Sequence, residues 1–175
     1  MIARIFVVLA CGVLTGAAAT DAAGAATARA ALPQVAAAAK AWQSDAALTH
    51  VSTLDAAKDG KARSWLYTVY SAKARKSAIV TARDLAVLLD PVDRNTSTEP
   101  LPDHWMDSDK ALDAARAAGL ALPATGVGLG LTTFGAGPAK RVYWTVTVMT
   151  DAAISSVTLD PASGALIKRD EVKLK

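Results

Sequence analysis

Short apolar runs broken by glycine, proline and charged residues set the rhythm of this chain. Leu32, Val35, Ala39 and Trp42 recur at i, i+3, i+7 and i+10, which predicts a helix over 32–42 with Pro33 in its first turn. Four strands are expected next. Leu48 to Leu54 alternates, Trp65 to Tyr70 is aromatic and β-branched, and Ala78–Thr81 and Ala86–Leu89 are short apolar runs. Asp59-Gly60 reads as a turn, and Lys73 to Lys76 as a solvated turn between strands.

The segment from Asp93 to Pro102 collects proline, serine, threonine and charge and reads as a linker, after which the pattern restarts. Asp107, Ser108 and Asp109 suit a helix start, with Ala111, Leu112, Ala115 and Ala118 as its apolar face and Gly119 at its end. Val127–Phe134 alternates, with Gly128 and Gly130 together on one face, where a bulky group is expected to pack closely. Val142–Val148, Ile154–Leu159 and Ala165–Ile167 complete the set, the last two joined by the turn Asp160-Pro161-Ala162-Ser163-Gly164.

The two halves share an element order. Tyr67-Thr68-Val69 aligns with Trp144-Thr145-Val146, and Val80-Thr81 with Val157-Thr158, both at an offset of 77 positions. The expectation is an α+β fold of two helix-plus-antiparallel-meander units, an internal duplication in which each helix packs on one face of its sheet. The pattern leaves open whether the units share one sheet or form separate lobes. The corresponding division is a signal peptide over 1–19, a flexible alanine-rich segment over 20–31, a first unit over 32–92, a linker over 93–106 and a second unit over 107–175.

The signal peptide is read from Arg4, the apolar run Ile5 to Leu14, and Ala17-Ala18-Ala19, which offers cleavage near Ala19. The run is too short for a permanent membrane span. It holds the single cysteine, Cys11, in a loose lipoprotein-box setting, but the stretch before Cys11 is very short, so plain secretion is preferred to a lipid anchor. Without residues 1–19 the chain is free of disulfides and thiolate chemistry, which fits a bacterial periplasmic or secreted protein. Its 18 basic and 16 acidic residues leave about +2, too even to argue for nucleic acid. Apolar residues make up 52%, enough for a packed core, although many are alanine.

The helix DSDKALDAARAAG (107–119), the strand YWTVTV (143–148) and the hairpin VTLDPASGALI (157–167) together resemble a PepSY domain. The resemblance covers about Asp107 to Asp170, with a weaker echo in the first half, which lacks the D-x-x-S-G turn. It implies a non-catalytic, often extracytoplasmic module, some relatives of which inhibit peptidases. It brings no catalytic residues.

The residues themselves offer little chemistry. His50 and His104 lie in different units without metal-ligand spacing, so no metal and no cofactor are expected. Asp107, Asp109 and Asp113 read as helix-start charge, not a calcium loop. Gly126, Gly128 and Gly130 lack the helix and lysine of a phosphate loop, and no G-x-S-x-G occurs. No catalytic residue is named. Trp65, Tyr67, Tyr143 and Trp144 are the candidate binding surface, as an exposed aromatic strip for a peptide or glycan; the alternative, that they pack the core, is favoured. The functional expectation is an exported binding module of the bacterial envelope, peptidase-inhibitor-like, whose partner is an envelope protein or peptidase. The rival is a small extracytoplasmic hydrolase or ligand-binding protein.

Overall fold

The structure is a computed structural model and describes residues 24–93, 98–135 and 140–174. The signal peptide, its cleavage near Ala19, and Cys11 lie outside the described residues. The elements run α1 (Leu32–Trp42), β1 (Ala47–Ala56), β2 (Ser64–Ser71), β3 (Lys76–Arg83), β4 (Ala86–Val92), α2 (Ser108–Ala117), β5 (Val127–Phe134), β6 (Arg141–Met149), β7 (Ala153–Leu159) and β8 (Leu166–Lys173).

All eight strands belong to one antiparallel sheet, in the order β4-β3-β2-β1-β5-β6-β7-β8. This corrects the expectation of two helix-plus-meander units. β1 and β5 pair at the centre, His50 opposite Thr132 and Val51 opposite Leu131, so the sheet runs unbroken from edge to edge. The physical reason is that a four-stranded meander leaves two edges of unpaired N–H and C=O groups, and joining β1 to β5 removes one from each half. The fold is sheet-dominated, with two helices among the described residues.

Alternation assigns the faces. Val51, Tyr67 and Val80 are register neighbours, as are Leu131, Trp144 and Leu159, and all six are buried. Both helices lie over this face. α1 packs Val35 and Ala39 against the first half, and α2 packs Ala111, Leu112 and Ala115 against β6 and β7. Alanine brings each helix close to the sheet, leaving the large volumes to the strands.

Two stretches expected to be loose are part of this layer. In the alanine-rich segment, the part from Gly24 onward is fastened to the core. Ala26 bridges Ala62, the Trp65 Nε1–H donates to the Ala26 carbonyl at 2.8 Å, and the Tyr67 hydroxyl donates to the Ala28 carbonyl at 2.8 Å. In the stretch read as a linker, Leu101 and Trp105 are buried, and Leu101 N–H donates to the Leu48 carbonyl at 2.7 Å. His104 stays exposed.

A polar junction ties three segments to the start of α2. Asp107 caps the helix by accepting from the Ser108 N–H at 2.8 Å, and it also accepts from the Arg29 N–H at 3.0 Å. The Ser108 hydroxyl is fully buried. It accepts from the Ala28 N–H at 3.0 Å and donates to the Gly60 carbonyl at 2.7 Å. The turn Asp160–Gly164 seats beneath α2, where Gly164 (φ +75°) lies against Ala114 and Met106. Asp160 accepts from the Ser163 and Ala162 N–H groups and the Ser163 hydroxyl; the Ser163 N–H is the largest reason its carboxyl titrates below the ordinary carboxylate value.

Candidate functional site

The helices leave the second face of the sheet uncovered. Across its middle run Ser52, Thr68 and Thr81 on one side and Thr132, Thr145, Thr147 and Thr158 on the other, with His50 between Thr68 and Thr132. On the inner strands the polar half of the alternation is therefore rich in hydroxyls, while β8 presents Lys168 and Asp170 on this face.

Within this face lies a hollow of about 470 Å³ over β1, β5, β6 and β7. Its floor is Gly126, Gly128 and Gly130; its walls are Leu54, Met149 and Ile154, with the threonines of β6. Leu54 is 86% exposed and Met149 71%, large values for apolar side chains in strands. A β-bulge between Thr53 and Ala56 breaks the register with β5, and Leu54 lies at that irregularity.

The glycines explain the hollow. A Cβ on Gly128 would meet Thr147 at an ordinary 3.6 Å, and one on Gly130 would meet nothing within 4 Å. The expected bulky group reaches Gly128 only, where Leu54 Cδ2 lies 4.0 Å from that Cβ position; no described residue covers Gly130. Gly126 differs, because its φ of +78° favours glycine for backbone reasons.

The residues singled out from the sequence fall on both faces. Trp65, Tyr67 and Trp144 are buried under the helices. Tyr143, the next residue after Val142 on β6, points to the open face, where it stacks on Phe134 with ring centres 6.5 Å apart. The structure therefore does not gather the four into one strip. Leu54, Met149 and Ile154 were missed, since single apolar residues in polar surroundings carry no periodic signal; the paired glycines were the legible sign. On α2 Asp109 is half-buried and Asp113 exposed, and Arg116 pairs with Asp113 at 2.9 Å. Among the described residues no three His, Cys, Asp or Glu side chains group as a metal site.

Of the titratable groups on the open face, His50 is perturbed. Burial holds its imidazole below the ordinary value of 6.5. The folded state therefore favours neutral histidine, and the unfolded chain takes up the proton first as pH falls. Stability should decline from about pH 6.5 downward until the folded value is reached. His50→Gln should flatten the melting temperature between pH 7 and pH 5; a wild-type decline of the same slope in that variant would exclude His50 as its source.

Tyr67 titrates well above its ordinary value, first through burial and second through the charge of Asp107, so it serves as a fixed hydroxyl donor to Ala28. Among the described residues no helix is long and apolar enough to cross a membrane.

No protein-family model matches the chain, and no curated protein does either. Among solved structures, the fold is similar to the crystal structure of a "putative lipoprotein" from Clostridium difficile 630, with a TM-score of 0.53 and 12% identity over 81% of this chain and 92% of that one. At that identity the likeness is one of fold.

Proposed function

We propose that this protein is an exported, non-catalytic binding module of the bacterial envelope that holds a protein partner on the open face of its sheet. The partner, an envelope protein or peptidase, seats a large apolar side chain in the hollow between Leu54 and Met149. One observation carries this reading. Gly130 sits inside a strand, where glycine costs stability relative to a residue with a side chain, yet a Cβ there would meet nothing within 4 Å. Folding gives no steric reason for glycine at this position; an occupant does.

The chemistry of the lining agrees. Ser52, Thr145 and Thr147 offer hydroxyls, and most of the remaining wall is apolar, so the hollow suits desolvated packing with a polar rim. A hydrolase would need a titratable acid or base in the site, which this lining does not provide. Export is supported by the sequence of residues 1–19 and by the name of the similarly folded protein. The resemblance of 107–170 to PepSY domains favours a peptidase as partner and inhibition as the outcome.

Gly130→Phe tests the reading, because a ring there fills the hollow from the solvent side. Residues 20–175 and the variant are immobilised and exposed to envelope extract, and bound protein is identified by mass spectrometry. A stoichiometric partner held by the parent and weakened at least tenfold by Gly130→Phe is expected, with the melting temperature within a few degrees of the parent. A partner retained equally by both would move the binding site away from the hollow. Unchanged cleavage rates for the captured peptidase would remove inhibition and leave binding.

A further inference from the structure

The sheet has two edges, and they are built differently. β8 carries Lys168, Arg169, Asp170, Glu171 and Lys173 among its eight residues, the usual protection of an edge strand against other chains. β4, AVLLDPV, carries one charge, Asp90. Its Leu88 lies on the open face opposite Thr81 and is 63% exposed, while Val87 and Leu89 tuck against the core.

The turn leading into β4 adds a second, independent oddity. Arg83 pairs with Ala86, so only Asp84 and Leu85 make the turn, and both have positive φ, 50° and 66°. Such turns favour asparagine and glycine, and leucine is strained there. Leu85 is nonetheless half exposed, so core packing does not account for it. Strain of this kind is often kept where a side chain is presented to something else.

We propose that β4 pairs with β4 of a second copy of this chain, antiparallel about a two-fold axis at Leu88, so that two eight-stranded sheets become one. The strand is self-complementary in that register. Leu88 faces Leu88, Val87 faces Leu89, and Ala86 faces Asp90, so the two aspartates never oppose each other. The register also keeps parity: residues whose backbone groups turn outward meet residues of the same kind, and the exposed leucines stay on the open face. Pro91 ends the ladder, because it has no N–H to give.

Sedimentation of residues 20–175 over a range from low micromolar to near-millimolar should show a concentration-dependent rise from monomer to dimer. Leu88→Lys should weaken the dimer at least tenfold while leaving the circular dichroism spectrum and melting temperature unchanged, since the side chain is exposed. Val172→Lys on β8 should leave it intact. In a Leu88→Cys variant, mild oxidation should link two chains through the paired position, and Val172→Cys should not. A monomer at every concentration overturns the proposal. So does a dimer indifferent to Leu88→Lys.

Discussion

Gly60→Ala should destabilise the protein by about 4 kcal/mol, a large fraction of the stability of an ordinary domain. Two effects combine. Gly60 has φ +80°, which strains any residue with a side chain by about 1–3 kcal/mol. Its Cβ would also fall 2.5 Å from the backbone N and Cα of Asp109, and backbone at a helix start cannot rotate aside as a side-chain tip can. Overpacking of this kind costs about 1–3 kcal/mol more. Backing away would stretch the Ser108–Gly60 hydrogen bond, now 2.7 Å, and disturb the hydroxyl that also serves Ala28. Gly126→Ala separates the two effects, because Gly126 has a similar φ of +78° but open space around it. Urea unfolding should place the midpoint of Gly60→Ala well below that of Gly126→Ala, and both below the parent, with unchanged slope. Equal midpoints for the two variants would mean that the close approach to α2 carries no energy.

Gly60 also marks the boundary between what the sequence makes legible and what it does not. Asp59-Gly60 is readable as a turn from local chemistry. That the turn docks on the first residues of α2, 48 positions later, has no local signal. The same holds across the fold. Strand and helix positions follow from alternation and from the 3.6-residue period, both short-range properties. Among the described residues the elements fall on those patterns except at β8, expected over Ala165–Ile167, which runs on through the charged stretch to Lys173. The pairing of β1 with β5 depends on which edges are left over once the hairpins have formed. Composition misled for residues 24–31, because an alanine-rich stretch looks undemanding, while its backbone carbonyls at Ala26 and Ala28 satisfy the buried polar atoms of Trp65 and Tyr67. The candidate site was half legible. Gly128 and Gly130 announced space on one strand face, but the walls of that space come from β1, β6 and β7.

Trp144→Ala should cost about 3–5 kcal/mol and lower the melting temperature by roughly 10 °C or more. The indole is fully buried in the helix-covered face of β6. It meets Trp105 edge to face, with ring centres 5.8 Å apart, and Arg29 lies over Trp105 at 4.7 Å. Its Nε1–H donates to the Met106 carbonyl at 3.0 Å, which pins the segment entering α2 onto the sheet. Truncation therefore opens a large cavity, removes an aromatic pair and leaves a carbonyl to find another donor. Trp144→Phe should recover most of the packing and lose chiefly the hydrogen bond, at about 1–3 kcal/mol. Tyr143→Ala, one residue away, reaches the other face and loses only its stack on Phe134, so its cost should stay near 1 kcal/mol or below. The contrast between adjacent residues is the sharpest check on which face the helices cover. A Tyr143→Ala variant that melts as early as Trp144→Ala would invert the register of β6. It would also carry the hollow over Gly130 from the open face into the core.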